Sequence, residues 1–219
     1  MADKDWYRNT TWDSFIEAEF EERLKRSRGA FHKSQYLRIQ AICLLDSNDI
    51  RIQSIGIKLM ERLINDFPTE EFSTIQGNEQ LGDYYLKIND FDKAEKYFSI
   101  VKNHYEIKKT KIEARGMAEL KLAKTYIMAN RVNKYVEAYN ICKEYSLTNL
   151  SFNSTRFYYA ELVAHVCERL NKYEEAKQYA KIAIEISKIT EPEFKRHKTV
   201  GLVNVTDKQL KKLQQLIKR

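Results

Sequence analysis

The chain has 219 residues, 43% of them hydrophobic and 12% aromatic, which is ample for a core and excludes global disorder. Six glycines and two prolines, against roughly 7% and 5% in ordinary proteins, leave few sites for a β-sandwich or a glycine-rich phosphate loop. The net charge of +7 comes wholly from the last 25 residues: residues 1–194 hold 30 bases and 30 acids, while Lys195, Arg196, Lys198, Lys208, Lys211, Lys212, Lys218 and Arg219 are offset only by Asp207.

Residues 12–28 carry Trp12, Phe15, Ile16, Phe20 and Leu24 at three- and four-residue steps, which predicts a helix with one apolar stripe. Thr11 is its expected N-cap. Acids (Glu17, Glu19, Glu21, Glu22) precede bases (Arg23, Lys25, Arg26, Arg28), matching the helix dipole, and Gly29 is placed to end the helix in a left-handed conformation. Further helices are predicted over 33–46, 49–66, 70–88, 91–104, 108–130, 133–146, 153–171 and 173–189, separated by short polar breaks. No segment alternates with period two for long enough to predict a strand, and the apolar connection 200–205 is left open. No uncharged apolar run approaches the ~18 residues of a membrane span, and the opening MADKDWYRN has no secretory h-region. Cys43, Cys142 and Cys167, odd in number and far apart, suggest reduced, buried thiols rather than a disulfide framework. The expectation is a cytoplasmic protein without membrane insertion.

Breaks this short force neighbouring helices antiparallel, as hairpins, and the hairpins repeat. Leu81-Gly82-Asp83-Tyr84-Tyr85 is followed 41 residues later by Leu122-Ala123-Lys124-Thr125-Tyr126, and after 41 more by Val163-Ala164-His165-Val166-Cys167. Each copy sets a small residue beside a large apolar one, so a second helix can approach closely. The second helices carry Ala94 and Phe98, or Ala176 and Ala180. Asn89 or Asp90 and Asn171 are the expected caps of these helices, with Glu174 completing a capping box.

At these residues the sequence resembles the tetratricopeptide repeat family. The match is good over 75–108 (Leu81, Gly82, Tyr85, Ala94, Phe98), moderate over 157–190, and interrupted in the middle copy by a three-residue insertion at Asn130–Tyr135. An earlier hairpin, 34–68, matches weakly through Ala41, Leu44 and Ser54. The opening is similar to that of bacterial repeat proteins. The resemblance implies an all-α, right-handed superhelix of antiparallel helix hairpins with a capping helix at each end. In that picture residues 1–33 form the N-terminal cap, 34–190 about four hairpins, and 191–219 a connection and a basic capping helix. Thr206-Asp207-Lys208-Gln209 is a capping box that opens a last helix with Leu210, Leu213, Leu216 and Ile217 on one stripe. Tyr85, Tyr126 and Tyr173 are expected at core positions.

A catalytic constellation is not found. His32, His104, His165 and His197 are at least 32 residues apart, and no metal-ligand spacing of His or Cys occurs, so neither a metal nor another cofactor is expected. The protein is expected not to be an enzyme. The resemblance implies instead a groove for a protein or peptide partner, lined by the first helices of successive hairpins. Its positions fall on Arg38 in the early hairpin and on Gln76, Glu79, Gln80, Asp83 and Lys87 in the next. Lys121, Lys124, Ile127 and Met128 follow in the middle copy, and Tyr158, Glu161, His165, Glu168 and Arg169 in the last. Glu79 and Asp83 stand where the family's carboxylate clamp has Lys and Asn, so acidic chaperone C-termini are disfavoured. The alternative partner is nucleic acid, held by a polyanion patch of Lys195, Arg196, Lys198, Lys208, Lys211, Lys212, Lys218 and Arg219. Neither the partner's identity nor an oligomeric state follows from these residues.

Overall fold

A computed structural model of the chain describes residues 5–111, 115–194, 196–197 and 199–219. The fold is all-α: ten α-helices pack against their neighbours, and no strand forms among the described residues, where Phe194 and His197 make only an isolated bridge. The chain divides into two compact units, one ending at His104 and the other beginning at Tyr105.

The first unit holds α1 (Ser14–Arg26), α2 (Gly29–Leu45), α3 (Ile50–Asp66), α4 (Glu71–Lys87) and most of α5 (Phe91–Ile107). Asp13, not Thr11, caps α1, its carboxylate accepting from the Phe15 and Ile16 N–H groups. Gly29 has the expected positive φ (73°) but opens α2 four residues before the predicted start, because α1 already closes at Ser27. Helices α2 and α3 meet where both are small: a Cβ on Gly56 would lie 2.9 Å from the Ala41 carbonyl oxygen. Helix α5 runs back along α4, with Phe98 against Gly82, Tyr97 stacked on Tyr85 at 5.6 Å, and His104 Nε2 2.9 Å from Glu71 at the far end. Phe20 and Leu24 of α1 are buried; Trp6 and Trp12 each meet the Phe20 ring at 5.4 Å, and Arg62 of α3 pairs with Glu21. Gln40 is fully buried and satisfied: its amide donates to the Asn9 carbonyl (2.7 Å) and accepts from the Asn9 N–H (3.0 Å).

The second unit holds α6 (Ala118–Met128), α7 (Tyr135–Glu144), α8 (Asn153–Arg169), α9 (Tyr173–Ser187) and α10 (Asp207–Lys218). The single helix expected over 108–130 does not form. Lys109 turns left-handed (φ 51°) and the Thr110 N–H closes back on the Tyr105 carbonyl, ending α5; α6 starts only at Ala118. The start of α6 is tied down by a buried network. Glu119, 2% exposed, accepts from Arg115 Nη1 (2.8 Å) and from the Tyr145 hydroxyl (2.6 Å), while Arg115 Nε donates to the Thr110 carbonyl. The inserted turn is a short 3-10 helix, Val132–Lys134.

A period of 41 residues marks the hairpins in both units. The small positions Ala41, Gly82, Ala123 and Ala164 are all buried, as are Ala94, Ala138 and Ala176 on the second helices. Seven residues beyond each small position stands an asparagine: Asn48, Asn89, Asn130 and Asn171. The last three are left-handed, with φ of 60°, 53° and 58°. In each, the following N–H bonds the carbonyl five residues back, Asp90 to Tyr85, Arg131 to Tyr126 and Lys172 to Cys167, all at 2.9 Å, which is the Schellman closure of a helix. Asn is the L-residue best suited to that conformation. These asparagines therefore end first helices rather than begin second ones. Asp90 does cap α5, accepting from the Lys93 N–H, but Lys172 stands at the N-cap of α9 and Glu174 completes no capping box. Tyr85 and Tyr126 are buried, whereas Tyr173 is 48% exposed, its hydroxyl donating to Asn171.

Helix α10 begins in the Thr206–Gln209 capping box. Leu213 and Leu216 pack on Phe157, Ala160, Ala164, Ala180 and Ala183 of α8 and α9, joined by Val203 and Val205 from the connection. Lys208, Lys211, Lys212 and Lys218 are exposed; Lys195 and Lys198 lie outside the described residues.

Candidate partner-binding faces

In each unit the first helices of successive hairpins lie side by side, α2 with α4 and α6 with α8. In the first unit this makes a groove. Gln80, Asp83 and Lys87 of α4 line a cavity of about 220 Å³ together with Tyr84 and with Ile42, Leu45 and Asp46 at the end of α2. The walls are mostly apolar and the rim is charged. Tyr84 is fixed by donating its hydroxyl to Gln53 of α3 (3.0 Å).

Towards the other end of the same pair of helices, the Ser34 hydroxyl meets the Ser73 hydroxyl at 3.0 Å and Gln35 Nε2 donates to it at 2.9 Å. Arg38 lies one turn along α2. Its guanidinium donates from Nη2 to Gln35 Oε1 (3.2 Å) and sits 6.0 Å from the Phe72 ring centroid. Burial lowers the Arg38 pKa from its ordinary value, because the charged form loses water. Among the described residues Arg38 Nε and Gln80 Oε1 are buried with no hydrogen-bond partner. Gln76 is half-buried between them in sequence, and Glu79 is buried.

In the second unit Lys124 and Tyr158 come together, the ammonium 4.6 Å from the ring centroid, a cation–π contact between α6 and α8. Lys121 is half-buried, Ile127 is buried in the packing, and Met128 is exposed. The acids of α8 are engaged by the last helix: Glu161 accepts from Gln209 Nε2 (2.9 Å), and Glu168 pairs with Arg219. His165 Nδ1 is 3.6 Å from Glu168, and Arg169 donates to Asn130 Oδ1 at 3.4 Å. On α8, Glu161 and Glu168 are thus engaged by α10, Tyr158 by Lys124 and Arg169 by Asn130, so most of the expected set on this helix already has partners within the unit.

The thiols are chemically quiet. Burial pushes Cys142 and Cys167 up to about 12, and Cys43 is raised as well, so the thiolate is scarce at neutral pH. Among the described residues no group of three or more His, Cys, Asp or Glu side chains is placed to hold a metal ion, and no helix is long and apolar enough to cross a membrane.

Ile42, Leu45, Asp46 and Phe72 belong to the first-unit groove but escaped the sequence reading. The early hairpin matched the repeat pattern too weakly to transfer more than Arg38. The available signal was helical spacing, since Ile42 and Leu45 follow Arg38 at four and seven residues, on the same face. Comparison with family models, curated proteins and solved structures finds no match to this chain.

Proposed function

We propose that this chain is a non-catalytic recognition module of the tetratricopeptide kind, with its hairpins in a right-handed superhelix, that binds a segment of a partner protein along the first helices. The observation that carries the reading is the α2–α4 groove, where an apolar-walled cavity, a charged rim and buried polar atoms without partners occur on one pair of helices. Buried polar groups in folded proteins are ordinarily satisfied, and Arg38 Nε on α2 and Gln80 Oε1 on α4, which are not, suit a partner that supplies the missing bonds. The 41-residue repetition of the small packing positions supports the repeat architecture.

Affinity capture with the full chain tests this. Proteins retained by the native sequence and lost by a Gln80→Ala/Lys87→Glu variant of unchanged melting temperature would support it. Retention by both would move the binding face elsewhere.

A second reading has an observation of its own: Lys208, Lys211, Lys212 and Lys218 are exposed on α10 while its leucines are buried. A nucleic-acid partner held there binds with steep salt dependence through counterion release. Removal of these charges with the leucines kept would abolish it and leave the fold intact.

A further inference from the structure

The first-unit groove has a polarity along its length. Arg38 is a half-buried cation with no carboxylate at ion-pair distance among the described residues; its one hydrogen bond goes to the neutral Gln35 amide. A guanidinium partly stripped of water and left without a counter-charge is costly. A planar carboxylate, accepting from two of its N–H groups, is the fitting compensation. Phe72, whose ring lies over the group, is 64% exposed, so this side of Arg38 faces the surface. Two turns further along α2 the sign reverses. Asp46 stands at the cavity whose walls include Ile42 and Leu45, with Lys87 of α4 across the same rim. Aliphatic walls below the Asp46 carboxylate suit a lysine or arginine of the partner, its stem buried and its head at the rim.

We infer that the occupant is an extended partner segment with an acidic side chain at Arg38 and a basic one in the cavity. This rests on the partner-groove reading of α2 and α4. Eight residues of helix separate Arg38 from Asp46, about 12 Å at 1.5 Å per residue. A fully extended chain covers roughly 3.3–3.6 Å per residue, so the acid and the base stand three or four positions apart. Gln80 favours the extended form. Its buried Oε1 wants a donor, and an extended backbone offers free N–H groups where a helix interior has used its own.

The test is selection of a random decapeptide display library on the full-length protein, with the enriched peptides then titrated against the native chain, Arg38→Gln and Arg38→Lys. Expected are Asp or Glu followed or preceded by Lys or Arg at a spacing of three or four. Arg38→Gln is expected to lose at least tenfold in affinity, Arg38→Lys less, and replacement of the peptide's acid should erase the difference between variants. Enriched peptides that compete for the groove but show no acid, or bind Arg38→Gln equally, overturn this inference while leaving the groove reading intact. A spacing of seven or eight overturns the extended form in favour of a helix. No enrichment at all overturns both.

Discussion

Gly82 of α4 and Phe98 of α5 are in contact so close that a Cβ on Gly82 would lie 2.5 Å from Phe98 Cε1. The pair sets the distance between the two helices of the best-matched hairpin. Alanine in place of Gly82 gains up to about 1 kcal/mol of helix propensity but overpacks the ring, at a cost of about 1–3 kcal/mol. Gly82→Ala is therefore expected to lower stability in urea denaturation. Phe98→Leu should recover part of that loss in the double variant, although it is destabilising alone. Additive effects would mean that the two side chains do not oppose one another.

Asn89 offers a backbone test without loss of a side-chain contact. It is exposed, left-handed and placed at the close of α4. Asn89→Gly is expected to match or exceed native stability, while Asn89→Ala should cost about 1 kcal/mol because a Cβ without a local hydrogen bond resists this conformation. Equal melting of the two variants would mean a different backbone at that turn.

The buried Arg115–Glu119–Tyr145 network predicts an asymmetry. Arg115→Ala leaves a carboxylate buried without its cation and is expected to cost about 3–5 kcal/mol. Tyr145→Phe removes one donor and should cost about 1–3 kcal/mol. Denaturant midpoints for the two variants measure the difference.

Alkaline pH should destabilise the fold over a defined window. Burial, with Glu61 beside it, pushes the Tyr97 hydroxyl from 10 up to about 12; the bond it donates to Glu175 lifts Tyr139 to about 12 as well. Below pH 10 both hydroxyls keep their protons whether the chain is folded or not. Between 10 and 12 the unfolded chain releases protons that the folded one retains, so stability falls as pH rises through that range. Absorbance titration of tyrosinate, with denaturation at each pH, follows it. Tyr97→Phe should make the fall shallower.

At the C-terminal end, Leu213→Ala is expected to cost about 2–5 kcal/mol through the cavity it leaves among Ala164, Ala180 and Ala183. Lys211→Gln and Lys212→Gln should stay within about 0.5 kcal/mol of the parent. Thermal melts of the three separate packing from charge.

Much of the fold can be read from local spacing. The helices of the hairpins, the small residues at 82, 123 and 164, and the Thr206–Gln209 box all follow from neighbours within four residues or from a fixed interval. The same spacing sets the start of α2 four residues late and the start of α6 ten residues early, because the left-handed turn at Lys109 and the closure of α1 at Ser27 are not encoded in an apolar pattern. It also took Asn171 for a helix start. Its recurrence with Asn89 and Asn130 at the repeat interval was the available correction.

By itself the sequence determined an all-helical chain of hairpins with its excess charge at one end, since helical period, capping and composition are properties of adjacent residues. Only the tertiary structure decided which charges are already answered. Glu161 and Glu168 find Gln209 and Arg219 some fifty residues away, whereas Arg38 finds no acid among the described residues. Compensation of a charge depends on what folding brings within a few ångströms, and that distance is set by packing rather than by position along the chain.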